Sequence, residues 1–270
     1  MTKPQTNSIN TNQTNRLSVQ ISLTGLSFLV TSEEGRIVHF SEQKFDAPHT
    51  PNELLYEVDS HFIGETALGG RFGNVTLIYT TQNYSLVPAP LFNEKKASEY
   101  LKFNTKILGN DYISYDELQN EAIVVVYVPF VNINNYIFER FGSFQYYHST
   151  TLLLSHILKR EKHSGDTCVY LHVLEGQFDC IIVSKGKLEL CNSYAYKTPE
   201  DFIYYVLFCF EQLELNPDTI ETVLCGIISV ESPLYEILYT YVRHVSFMEV
   251  QHPAIGDAKS HEHILLKTRL

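Results

Sequence analysis

The chain has 270 residues, 44% of them hydrophobic, with 18 Tyr, 16 Phe and no Trp, which is enough apolar surface for two modest domains or one large one. Its formal net charge of −11 excludes a broad nucleic-acid footprint, which needs a basic surface to release counterions. The same charge disfavours an anionic membrane surface as a partner.

Residues 1–16, MTKPQTNSINTNQTNR, are rich in Asn, Thr and Gln. They lack the apolar run of a signal peptide and read as a disordered arm. From Leu17, apolar and polar residues alternate to Leu23, a strand pattern. Gly25 turns the chain, 26–31 make a second strand, Glu34-Gly35 a second turn, and 36–45 a third strand. Thr50, Pro51 and Glu53 then have the spacing of an N-cap, a first-turn proline and a capping box. Leu54, Leu55, Val58 and Phe62 share one face of the helix they open, which should end near Gly69. A fourth strand covers 74–80.

Extra material follows over about 81–120, with a helix predicted at 93–103. After it come a buried strand at 122–128, a helix at 132–141, a strand at 143–148, and a helix from 149 capped by Ser149 or Thr150. The earlier order then recurs. A strand at 168–173 is turned at Gly176, a second spans 178–184, Lys185-Gly186 turns again, and a third covers 187–196. Thr198, Pro199 and Asp201 open a helix to about Leu213. A strand ends at Gly226, a helix runs from about Ser232 to His244, and 245–250 make a last strand. The apolar window FIYYVLFCF is too short to span a bilayer. Five cysteines, Cys168, Cys180, Cys191, Cys209 and Cys225, form no Cys-x-x-Cys. They read as buried thiols in a reducing compartment.

Gly25 and Gly35 are ten residues apart, as are Gly176 and Gly186, and each half has a Thr-Pro cap after its third strand. This spacing predicts an internal repeat. Three antiparallel strands, a helix, a strand, a helix and a strand make a mixed sheet flanked by helices. That order resembles the ribonuclease-H-like fold, and two such units in tandem resemble the actin-like ATPase superfamily, with two mixed five-stranded sheets and a cleft between them. More narrowly, the chain resembles an uncharacterised bacterial domain-of-unknown-function family assigned that fold. The expected division is an arm at 1–16, a first domain at 17–163, a second at 164–252 and a C-terminal tail at 253–270.

The superfamily resemblance implies an Asp near the end of strand 1 to organise Mg²⁺ on phosphates, a glycine turn beside it, a second such turn, and a later glycine element for adenosine. Here Ser22 and His172 stand about where the carboxylates are expected, and Glu175 sits beside the second turn. If ATP with Mg²⁺ binds, the residues to hold it are Thr24, Gly25, Ser27, Gly176 and Gly226. The leading expectation is a cytoplasmic, non-catalytic interaction or regulatory module with degenerate nucleotide motifs. It would have a protein partner, no cofactor and no metal, and would bind neither nucleic acid nor membrane. The alternative is a divergent ATP-binding protein that uses the cleft. Strand 1 has no Asp or Glu in either half, which argues against a two-metal nuclease. Ser22 and Ser27 lack the surroundings of a nucleophile, and His172 reads as a satisfied core or cleft histidine. Lys185 and Lys187 read as solvated turn residues. His252, Asp257, His261 and His263 read as a solvated tail rather than a metal site. The aromatic runs YIFERFGSFQYYH and LYEILYTYVRH suit either core packing or a protein interface.

Overall fold

The computed structural model describes residues 15–102, 104, 107, 111–250, 255–256 and 258–267. Residues 1–14 of the expected arm and the candidates His252 and Asp257 lie outside the described residues, whereas Asn15 and Arg16, also assigned to the arm, begin the first strand.

The first sheet has strand order β3-β2-β1-β4-β8, with β1 Asn15–Ser22, β2 Gly25–Thr31, β3 Ile37–Lys44, β4 Phe72–Thr80 and β8 Gln145–His148. The second has order β11-β10-β9-β12-β13, with β9 Thr167–Leu174, β10 Gln177–Ser184, β11 Lys187–Ala195, β12 Glu221–Gly226 and β13 His244–Phe247. In both, the first three strands are antiparallel and the remaining two run parallel to the first. Both carry a register irregularity late in the second strand, between Val30 and Thr31 and between Ile182 and Val183. The two architectures are therefore alike down to a bulge, and β8 is the fifth strand of the first half.

The registers correct the spacing of the echo. Ser22 pairs with Gly25, and Leu174 pairs with Gln177. Aligning the two pairings places Thr24, not Gly25, opposite Gly176, and Gln20, not Ser22, opposite His172. The two glycines have different causes. Gly176 has φ +68°, a conformation that L side chains rarely adopt. Gly25 has no positive φ, but a Cβ there would lie 2.7 Å from the Gln43 carbonyl oxygen.

Helices α1 (Pro51–Gly64) and α5 (Pro199–Gln212) both begin with the expected capping box, Thr50 with Glu53 and Thr198 with Asp201. Helix α3 (Val131–Phe141) packs beside α1, and α6 (Pro233–Tyr241) beside α5. Ser232 caps α6 by accepting from the Tyr235 N–H. Helix α4 (Ser149–Glu161) is capped neither by Ser149 nor by Thr150. His148 is the N-cap, and its Nδ1 accepts the Thr150 N–H. The hydroxyl signal pointed one or two residues late because an imidazole nitrogen can do the same work.

The added material forms a third sheet, β5-β7-β6, from β5 Tyr84–Pro88, β6 Ser114–Leu118 and β7 Ile123–Tyr127, with a short helix α2 (Ala97–Leu101). It reaches past residue 120, because β7 is its central strand. Val125 and Tyr127 face the main core, and Val124 and Val126 face α2.

One apolar cluster joins Leu17, Ile21 and Tyr79 of the first half to Tyr170, Ile181 and Cys225 of the second. A second, with Phe178, Phe202 and Phe210, lies under α5 and α6. Two helices tie the halves together. Helix α4 touches β4 and β11, and α7 (Ile264–Lys267) touches α4 and β1. The solvated-tail reading therefore fails at Ile255, His261 and 264–267, which are buried, and at the half-buried His263, while Gly256, Lys259 and Ser260 are exposed. Lys267 joins the buried residues because its Nζ donates to the carbonyls of Lys259 and Ser260. All five cysteines are free thiols. Among the described residues, no helix is long and apolar enough to cross a membrane.

Candidate functional site

Parallel strands end together, so β1 and β4 end at one edge of the first sheet, and β9 and β12 at the matching edge of the second. Between these edges lies a cleft of about 230 Å³, the usual place for a ligand in sheets of parallel strands. Gln20, Ser22, Thr24, Gly25 and Ser27 line it from the first half. His172, Leu174, Glu175, Gln177 and Gly226 line it from the second, and His263 and Leu265 from the C-terminal segment. Of the five predicted binding residues, Thr24, Gly25, Ser27 and Gly226 thus meet in one cleft. Gly176 is exposed at the turn and is not among the lining residues.

Ser22 is occupied locally. Its hydroxyl accepts the Thr24 N–H at 3.2 Å and donates to the Gly25 carbonyl at 3.0 Å, so it braces the turn. Gly226 is a glycine because of close backbone approach. It has φ +89°, and a Cβ would lie 2.1 Å from the Val173 carbonyl oxygen. Its N–H is taken by the His261 carbonyl.

His172 is buried on β9, directly across the hairpin from Asp179. Its Nδ1 lies 2.9 Å from Asp179 Oδ2, and the other carboxylate oxygen accepts from Ser193 Oγ at 2.5 Å. Ser193 lies 3.0 Å from the Tyr84 hydroxyl, which arrives from the added sheet of the first half. The carboxylate thereby orients the imidazole through Nδ1. This chain of partners was legible only in part. His172 is a satisfied cleft histidine as read, but Asp179 went unnoticed, although a two-residue turn at Glu175-Gly176 places the two opposite each other.

His148 ends β8, beside Tyr79 of β4 in the first sheet. Its Nε2 donates to the Thr81 carbonyl at 3.0 Å while Nδ1 accepts from Thr150, an arrangement that needs the neutral ring. Burial holds it down to about 4. Thr80 and Thr81 line the cleft, and their buried hydroxyls have no partner among the described residues.

The carboxylates lining the cleft are Glu42 and Glu175. Glu42 lies 3.7 Å from His263 Nε2, and Glu175 is exposed on its turn. His263 stacks edge-on against Phe40, and His261 Nε2 meets the Ile228 carbonyl. Burial lowers the pKa of both histidines. Their roles are to pin the C-terminal segment. Among the described residues no group of three or more His, Cys, Asp or Glu could hold a metal ion. Lys185 and Lys187 are absent from the cleft.

Residues 4–245 match the family described as "Protein of unknown function (DUF3822)". The chain belongs to the DUF3822 family. No curated protein matches the sequence. Among solved structures, a Bacteroides thetaiotaomicron protein with an actin-like ATPase fold and unknown function is similar at TM-score 0.77 and 20% identity, over 95% of each chain. A PilM–PilN type IV pilus biogenesis complex contains a chain similar at TM-score 0.54 and 12% identity, over 87% of this chain and 88% of that one. The ethanolamine utilization protein EutJ from Carboxydothermus hydrogenoformans is similar at TM-score 0.50 and 9% identity, over 94% and 88%. These likenesses fall on the whole two-sheet arrangement, and this DUF3822 chain has the actin-like ATPase fold.

Proposed function

We propose that this DUF3822 protein is a non-catalytic interaction or regulatory module of the cytoplasm, built by internal duplication and using the actin-like fold without its nucleotide chemistry. One observation carries the reading. The strand ends bordering the cleft present Gln20 and Ser22 on one side and His172 and Leu174 on the other, where a metal on phosphates needs carboxylates. Glu175 adds a negative charge at the second turn, which repels phosphate. The PilM–PilN complex supports the partner-binding half of the reading, since it holds a protein of similar fold together with another protein. A cleft lined by Thr24, Gly25 and Ser27 favours the second reading, a divergent ATP-binding protein.

A thermal shift assay separates them. Mg-ATP at millimolar concentration should move the melting temperature no more than Mg²⁺ alone. A rise of several degrees specific to Mg-ATP, the mass-action signature of a ligand bound to the native state, would overturn the first reading in favour of the second.

A further inference from the structure

Helices α5 and α6 lie side by side over the second sheet, and their outward faces have an unusual composition. Residues 198–241 contain two Asp, six Glu and no Lys or Arg. Glu200, Tyr204, Phe208 and Glu211 recur at helical spacing on α5 and are all exposed, as are Glu236 and Tyr239 on α6. Tyr204 is 63% and Tyr239 is 60% exposed.

These aromatic side chains are braced from below. Tyr204 lies parallel to Phe208 and edge-on to Tyr205, which stacks on Tyr194 with ring centres 4.9 Å apart. Tyr239 stacks on Tyr235 and Tyr235 on Phe247, whose ring in turn lies against His261. Two aromatic ladders therefore run from the interior to the surface, and little side-chain freedom remains to be lost on binding. Cations sit at the margins: Lys197 just before the α5 cap, Arg243 paired with Asp218, and Lys259 paired with Glu231.

We propose that the α5–α6 face docks a basic segment of a partner protein, with Lys or Arg interspersed among aliphatic residues. Aromatic faces set among carboxylates attract cations by their quadrupoles as well as by charge. The exposed ridge from Glu200 to Glu211 is about 16 Å long at the rise of an α-helix, which suits one such segment. Nucleic acid, anionic lipid and a second copy presenting the same face would all bring like charge. The proposal rests on the interaction-module reading and names the partner's chemistry and its place.

The probe is a fluorescent peptide of alternating Lys and Leu clusters, titrated into the full chain by anisotropy, with a Glu-for-Lys peptide as control. The Lys peptide should bind, and should weaken by about tenfold or more between roughly 50 and 300 mM salt. Tyr204→Ser/Phe208→Ser and Glu200→Lys/Glu211→Lys should each weaken it by about tenfold. Tyr56→Ser/Ile63→Ser, on exposed positions of α1, should leave it unchanged. Circular dichroism checks that each variant is folded. Binding that ignores the α5 changes, equal binding of the Glu peptide, or self-association through Tyr204 and Phe208 in sedimentation would each overturn the proposal. Loss of peptide binding without a Mg-ATP shift sinks this surface alone, whereas a Mg-ATP shift sinks the reading beneath it.

Discussion

A single imidazole shows how environment decides what a residue does. His148 and His172 are both buried, yet one is wedged between a carbonyl and an N–H while the other faces a carboxylate. For His148, burial pushes the folded value to about 4 from 6.5. Between those values the unfolded chain binds a proton that the folded chain refuses, so stability falls as pH drops through that window. The loss from this residue should approach roughly 3 kcal/mol at full extent. His261 and His263 add loss of the same sign, so the contribution of His148 appears as a difference. His148→Gln should be less stable at pH 7 but should lose less between about pH 6.5 and 4.5, read from urea unfolding at the two ends. An equal loss in both proteins would mean that His148 does not carry this dependence.

At the scale of elements, the capping boxes of α1 and α5 and the alternation of β1 were legible because their causes lie within a few residues. The turns were less so. Gly25 and Gly176 look equivalent in sequence, but one relieves a contact with β3 and the other supplies a positive φ. Gly226, a nucleotide residue only if ATP binds, is a glycine in any case because the backbone crosses there. Gly226→Ala should therefore cost more than about 3 kcal/mol or prevent folding, since the added methyl overlaps a carbonyl that two strands hold in place. Gly176→Ala, strained in φ but open around its Cβ, should cost about 1 kcal/mol. Denaturant titration of both variants checks the order, and equal costs would refute the account of Gly226. The added sheet was misjudged at its end for a related reason. A run such as Ile123–Tyr127 reads as buried in any context, and only pairing with β5 and β6 says which sheet owns it.

At the scale of the molecule, the halves are not independent. They share one apolar cluster, the Tyr84–Ser193–Asp179–His172 chain crosses between them, α4 touches β4 of one and β11 of the other, and α7, which follows the second half in the chain, packs on β1 of the first. Calorimetry should therefore show one cooperative transition, and Leu266→Ala, in a fully buried position, should lower it by about 2–5 kcal/mol without splitting it. Two resolved transitions would show that the halves unfold separately.

The sequence by itself determined the mixed α/β class, the two sheets of like order, the capped helices and the free thiols. Each follows from local periodicity, capping chemistry and cysteine spacing. Tertiary structure decided the rest. It showed that Gln20 rather than Ser22 matches His172, that Asp179 stands behind that histidine, that Gly176 lies off the cleft, and that His261 is buried against Ile228 while His263 packs half-buried on Phe40. These depend on strand register and on contacts between residues far apart in the chain, where a shift of one position changes which side chain meets which.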